Sequence, residues 1–177
     1  MSIDFNMGDI CLFKGQPYAT NKFGKTIMVG LDDDSSVQLV AEPLVDGGDM
    51  KFLVESEGDL LLVDFYECIR TGFPDHDPVR IDVFKLNEKE KKWVKLTSLG
   101  DRVLFLNFIC SFSASASDLC VSKGNCIIFM DYLFTSDIYD GQNTCVLHLD
   151  QGRLSSVSDS PEFSNLFWPP PEWVARS

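Results

Sequence analysis

Residues 58–66 read GDLLLVDFY, a turn glycine followed by an almost unbroken apolar run that ends on an acid and two aromatics. The same order occurs at 24–32, GKTIMVGLD, and at 124–132, GNCIIFMDY, so one unit is present three times. A strand that is apolar at successive positions is covered on both faces, whereas alternation marks one wet face. Each copy is followed by a second strand pattern: VQLVAEPL at 37–44, RIDVFKLNEKEKKWVKL at 80–96 and CVLHLDQGRLSSV at 145–157. Small antiparallel sheets with a buried inner strand and a polar outer hairpin are the blades of a β-propeller.

The rest of the chain agrees with an all-β fold. Gly, Pro, Asn and Asp punctuate it at short intervals, and the runs between them are rich in Val, Ile, Leu and Phe. The clearest hairpin leads in through Ile81, Val83, Phe84 and Leu86, turns over the charged segment 87–92, and returns through Trp93, Val94 and Leu96. Six residues are too few for that charged segment to stand as a helix. The expected fold is one all-β domain over residues 1–177, built of antiparallel repeats that form a partial β-propeller of about three to four blades. A β-sandwich is the alternative, and it requires the repeat to be accidental. Three copies leave the ring open, and the stiff tail Trp168-Pro-Pro-Pro-Glu-Trp173 is expected to cover an exposed blade face.

The segment SLGDRVLFLNFICSFSASASD at 98–118 places serine at every second position from 111 to 117. Alternation with Phe112, Ala114 and Ala116 puts the hydroxyls on one face of an extended strand. There is no G-x-S-x-G elbow, and no general base stands near these serines, so they read as a tightly packed strand between blades. Gly100 permits a tight turn there, with Asp101 and Arg102 hydrogen bonding at the seam.

Charge narrows the partners. With 27 acidic and 15 basic residues the formal net charge is -12, which repels phosphate backbones and anionic lipids, so nucleic acid and membranes are not expected partners. No apolar run reaches the length of a spanning helix, and the start MSIDFNMGDI lacks the order of a signal peptide, which points to an intracellular protein of the cytoplasm or nucleus. Cys11, Cys68, Cys110, Cys120, Cys126 and Cys145 form no C-x-x-C pair and read as buried, reduced thiols. His76 and His148 sit in unlike contexts, so neither a metal nor another cofactor is expected.

For function, rigid strands present variable loops, and loops do the recognising. Candidate surfaces are Asp32 to Asp34, the loop TGFPDHDP at 71–78 and the loop YLFTSDIYDGQN at 132–143. In the last, Tyr132, Phe134 and Tyr139 are aromatics in polar company and are the candidate partner-binding residues. The expectation is a protein-binding module and not an enzyme. The alternative is an enzyme using clustered carboxylates such as Asp64, Asp131 and Asp137.

Six segments in this order, YATNKFGK, FLVESEGDLLLV, VFKLNEKEKKWVKLTSLGDRVLFL, SFSASASDL, GNCIIFMD and the closing WPPPEWV, resemble the carboxy-terminal part of the plant KIB-type β-propeller domain, domain of unknown function 295. The likeness runs over residues 8 to 174, and its most specific elements are the L-G-D-R segment with its serine-rich sequel and the W-P-P-P-x-W ending. The resemblance implies the substrate-recognition propeller of F-box proteins, which dock on the Skp adaptor of SCF-type ubiquitin ligases and hold a target protein. Residues 1–177 contain no recognisable F-box, so the Skp adaptor is not an expected partner of this chain. The family carries over no catalytic residues.

Overall fold

Two hairpins close on the same two-residue turn. Strand β1 (Met7–Phe13) passes to β2 (Gln16–Asn21) through Lys14 and Gly15, at φ 51° and 75°. Strand β5 (Met50–Ser56) passes to β6 (Asp59–Tyr66) through Glu57 and Gly58, at φ 53° and 78°. Two successive positive φ values make a type I′ turn, whose twist matches that of the flanking strands and so sets their register.

The computed structural model describes residues 7–30, 36–48, 50–66, 80–107, 109–130, 144–164 and 166. Its strands form three sheets. The first is β1-β2-β3-β4, with β3 at Thr26–Val29 and β4 at Val37–Ala41. The second is β5-β6-β7-β8, with β7 at Arg80–Asn87 and β8 at Lys92–Leu96. In the third the order is β10-β9-β11-β12-β13, where β9 is Arg102–Leu106, β10 Phe112–Ser115, β11 Cys126–Met130, β12 Thr144–His148 and β13 Arg153–Ser156. The chain divides into two compact units, Met1–Thr97 with Phe108–Phe112, and Ser98–Asn107 with Ser113–Ser177. Repeated small sheets are the propeller architecture expected, and β6 is buried at every position from Leu60 to Phe65, as a strand covered on both faces must be.

Two details differ from the sequence reading. The repeat is offset by one strand: Gly58 precedes the second strand of its sheet, and its counterpart is Gly15, since Gly24 precedes the third. Gly124, unlike Gly24 and Gly58 at φ 83° and 78°, is no positive-φ turn. A Cβ there would lie 2.3 Å from the Asp101 carbonyl carbon, so it is a point of backbone contact. In addition, β9 and β11 pair in parallel, from Val103 opposite Cys126 to Leu106 opposite Phe129, while the other registered strand pairs are antiparallel.

In the first unit the two sheets share one core. Phe13, Tyr18 and Ala41 meet Leu53, Leu60, Leu62, Leu86 and Trp93, with Cys11, Met28 and Phe84 around them. Each fully buried leucine or phenylalanine among them contributes about 1.5–3 kcal/mol by leaving water. Polar pins hold the sheets together: the Trp93 indole donates to the Gly24 carbonyl at 2.8 Å, and the Leu53 amide, on the edge strand β5, donates to the Asp9 carboxylate of β1 at 2.8 Å. The β7–β8 hairpin forms as the sequence predicts, its turn fixed by Asn87 accepting from the Glu90 amide at 3.1 Å.

The other face of the first sheet is unlike this one. Ile10, Ala19, Ile27 and Leu39 stand opposite one another across its four strands, and Leu12 and Val37 extend the same face. Ile10 is 54% exposed, Leu12 69% and Val37 52%.

In the second unit Val103, Ala116, Val121, Cys126, Ile128 and Val146 pack with Val157 and Phe163. The last two come from a 3-10 turn, Val157–Asp159, capped by the Ser156 hydroxyl, and from a short helix, Pro161–Ser164. The serine segment belongs here. Arg102 Nε donates to Ser113 Oγ at 2.9 Å, Ser117 Oγ to Asp101 at 3.3 Å, and the Ala116 amide to the Asp101 carbonyl at 2.8 Å. Gly100 turns at φ 61° as foreseen, but these bonds of Asp101 and Arg102 lie within this unit.

Candidate functional site: a charged platform on the second sheet

The face of the second sheet that carries Leu53, Leu62 and Phe84 changes character one pair along. There Lys51, Asp64 and Asp82 stand opposite one another on β5, β6 and β7. Lys51 and Asp64 have wholly buried side chains and pair at 2.5 Å. The Gly48 amide donates to both Asp64 oxygens, at 3.1 and 3.0 Å, and the Lys51 ammonium donates to the Gly48 carbonyl. A buried ion pair survives only when further hydrogen bonds satisfy its remaining lone pairs and protons, and here one residue, Gly48, serves both partners, its amide bonding Asp64 and its carbonyl Lys51. It must be glycine, because a Cβ at Gly48 would sit 2.1 Å from the Phe65 carbonyl oxygen.

Towards solvent the platform opens out. Asp82, its side chain 12% exposed, accepts from Arg80 at 2.9 Å and from Lys95 at 2.8 Å. Burial pushes the Asp82 carboxyl up, but hydrogen bonds from Lys95 and Arg80 outweigh it and hold the group below the ordinary carboxylate value. The Arg80 guanidinium lies 4.0 Å from the centre of the Tyr66 ring, a cation–π contact. Burial, and then the negative charge of Asp64, push the Tyr66 phenol up to about 12. Tyr66 ends β6 and Arg80 begins β7, so these two residues are where the 67–79 connection leaves the sheet and returns to it. A neutral phenol and an aromatic-stacked cation suit recognition by stacking and hydrogen bonding.

Of the residues singled out from sequence, Tyr132, Phe134 and Tyr139 lie outside the described residues, as do Asp32 to Asp34, the 71–78 loop with His76, Asp131, Asp137, Cys68, Trp168 and Trp173. Asp64 is described, and its carboxylate is enclosed by Lys51 and Gly48. Sequence reasoning missed Lys51, Tyr66, Arg80, Asp82 and Lys95. The usable signal was the hairpin register: with the Glu57-Gly58 turn fixed, Lys51 must face Asp64.

None of the described cysteines is joined in a disulfide. Cys126 and Cys145 are buried and Cys11 partly so, but Cys110 and Cys120 are exposed, because one ends a strand connection and the other occupies a turn at φ 57°. Burial, and then Glu162 and Asp150, push the Cys126 thiol up to about 12, which keeps it protonated and inert. Among the described residues no cluster of three His, Cys, Asp or Glu side chains could hold a metal ion, and no helix is long and apolar enough to cross a membrane.

Comparison with known proteins places this architecture. The family model of the KIB1-4 beta-propeller matches residues 2–148. The F-box protein At2g17036 of Arabidopsis thaliana is 36% identical over 185 residues, covering 96% of this chain and 45% of the relative. The F-box protein SKIP23 of the same plant is 35% identical over 94% of this chain and 45% of its own length. The F-box/kelch-repeat protein At2g24250, also from Arabidopsis thaliana, is 34% identical over 68% of this chain and 29% of its own length. The chain thus spans less than half the length of these curated relatives, and no solved structure matches it. The chain belongs to the KIB1-4 beta-propeller family.

Proposed function

We propose that this chain is a protein-binding module, the target-recognition part of a propeller of the kind found in F-box proteins, and that residues 1–177 act as one all-β domain of it. The observation that carries this reading is the platform of Tyr66, Arg80, Asp82 and Lys95, which anchors both ends of a long connection on a rigid sheet. Propellers recognise through such connections, held in place by the strands beneath them. The relatives are named as F-box proteins, which supports a place in ubiquitin ligase substrate selection inside the cell, in cytoplasm or nucleus. Within that reading the partner is a protein and not nucleic acid or lipid, given the net charge of -12. The residues that bind it are Tyr132, Phe134 and Tyr139, and the Skp adaptor does not bind residues 1–177 themselves.

The test is quantitative affinity capture from plant extract with the wild-type chain and with Tyr132→Ala, Phe134→Ala and Tyr139→Ala combined. Proteins recovered specifically by the wild type should fall about tenfold or more in the variant, the scale of losing one hot spot, while circular dichroism stays unchanged. Equal recovery with an unchanged spectrum refutes the assignment of these residues.

A further inference from the structure

The turn that delivers Gly48 to the buried ion pair also carries a chemically labile link. The sequence holds two Asp-Gly links, Asp46–Gly47 and Asp140–Gly141; the second lies outside the described residues and the first stands beside the pair. An aspartyl carboxyl can reach the nitrogen of the next residue through a five-membered ring, and a following glycine has no side chain to shield that nitrogen. Asp46 and Gly47 are both exposed, next to Val45 at 89% exposure, so water and dissolved bases reach the link. Asp46 also holds φ 57°, a left-handed conformation that residues with a side chain disfavour, so the strained stretch of backbone is the one a rearrangement would replace.

We propose that Asp46–Gly47 is a modification site, where the chain isomerises to isoaspartate and so becomes a substrate for an S-adenosylmethionine-dependent carboxyl methyltransferase. The Gly47 nitrogen bonds to the Asp46 carboxyl carbon, its proton passes to solvent base, and a carboxyl oxygen leaves as water, which closes a succinimide. Water then adds at the former main-chain carbonyl and breaks its bond to the Gly47 nitrogen. The chain now runs through the Asp46 side chain, and an α-carboxylate is set free; no atom is gained or lost overall. Methyl transfer to that carboxylate gives an ester that loses methanol to re-form the succinimide, and hydrolysis returns part of it to aspartate. The product carries one extra methylene in the backbone, and Gly48 has no slack to absorb it. Its amide donates to both Asp64 oxygens, its carbonyl accepts from Lys51, and a Cβ on it would lie 2.1 Å from the Phe65 carbonyl oxygen. A Cβ on Gly47 would itself meet Asp64 Oδ2 at 3.2 Å and Lys51 Nζ at 3.3 Å, so the rearranged link lies against the pair. A change at the surface thus loosens two charges that solvent does not reach.

The test is to age the 177-residue chain for several weeks at neutral pH and physiological temperature, then to label isoaspartate with a recombinant isoaspartyl methyltransferase and methyl-labelled S-adenosylmethionine. Peptide mapping separates label at residue 46 from label at residue 140. The expected result is label at residue 46 that rises with time at unchanged protein mass. A second unfolding transition should appear about 3–12 °C below the first, the scale of losing one hydrogen bond to a charged group, with an amplitude that tracks the label. Prolonged treatment with the methyltransferase should shrink that lower transition. Asp46→Asn, which expels ammonia more readily than the carboxyl expels water, should acquire label severalfold faster. Asp46→Glu, which would need a six-membered ring, should stay unlabelled there and keep a single transition. Absence of label at residue 46 in the aged wild type overturns the proposal. A labelled fraction that melts with the rest, an asparagine variant that is no faster, or label at that position in the glutamate variant overturns it as well.

Discussion

Replacing Lys51 by methionine isolates the feature on which the second sheet depends. Methionine keeps the length and apolar stem of the lysine and removes its ammonium, leaving the Asp64 carboxylate wholly buried with only neutral donors, the Gly48 amide and the Tyr66 hydroxyl. Breaking a buried pair by deleting one partner costs about 3–5 kcal/mol, because the surviving charge is uncompensated. In a chain of this length each kcal/mol moves the melting temperature by about 2–4 °C, so Lys51→Met should melt roughly 6–20 °C lower. The double variant Lys51→Met with Asp64→Leu removes both charges and should recover about half of the loss. It should fall short of the wild type by about 1–3 kcal/mol, the cost of leaving the buried Gly48 amide without an acceptor. Thermal unfolding by circular dichroism and urea midpoints at unchanged m-value measure both. A single variant within about 2 °C of the wild type, or a double variant no better than the single, would refute the reasoning.

Two further outcomes follow from the same region. Gly48→Ala should cost more than about 4 kcal/mol, because its Cβ collides with the Phe65–Tyr66 backbone, while Gly58→Ala, at φ 78° in open space, should cost only the 1–2 kcal/mol of a left-handed alanine; equal melting temperatures for the two would contradict the close approach. For Tyr66, the folded phenol titrates near 12 against an unfolded value of 10, so its proton is held by the native state alone across that window. Stability should therefore decline as pH rises from about 10 to about 12, and Tyr66→Phe should flatten that part of the curve, as read from urea midpoints across the alkaline range; identical curves for both proteins would exclude this origin.

The fold was legible where local chemistry decides it. Trp93, Val94 and Leu96 return from a charged turn whose Asn87 caps it, and both halves of that hairpin can be read from a dozen adjacent residues. The repeat was legible as repetition, but its phase was not. The search for continuous apolar runs selected GKTIMVGLD, whereas the structural counterpart of GDLLLVDFY is GQPYATN, whose Pro17 and Tyr18 disguise it. The platform was hidden for a different reason. Lys51 and Asp64 are far apart in sequence, and a lysine in MKFLVES looks like the wet side of a strand until the Glu57-Gly58 turn sets it opposite a carboxylate. Gly47 and Gly48 carry no fold motif that sequence reasoning could single out, although the second is the tightest backbone approach of the site. Parallel pairing of β9 with β11 leaves no periodic mark at all, since both strands are simply apolar.

That parallel pair also sets a timetable for the chain's birth. The hairpins β1–β2, β5–β6 and β7–β8 have partners only a few residues away and close within about 1–10 μs of reaching free solution. Strand β9 cannot do so, because its partner begins at Cys126, after the whole segment from Asn107 to Asn125. At a synthesis rate of about 5–20 residues per second, Val103 to Leu106 wait roughly 1–4 s for that partner to be made. During this interval the serine-bearing β10 lies along one edge of β9, while the other edge stays open. The brief life of that open edge on the ribosome is when this protein is most exposed to capture by chaperones or by another nascent chain.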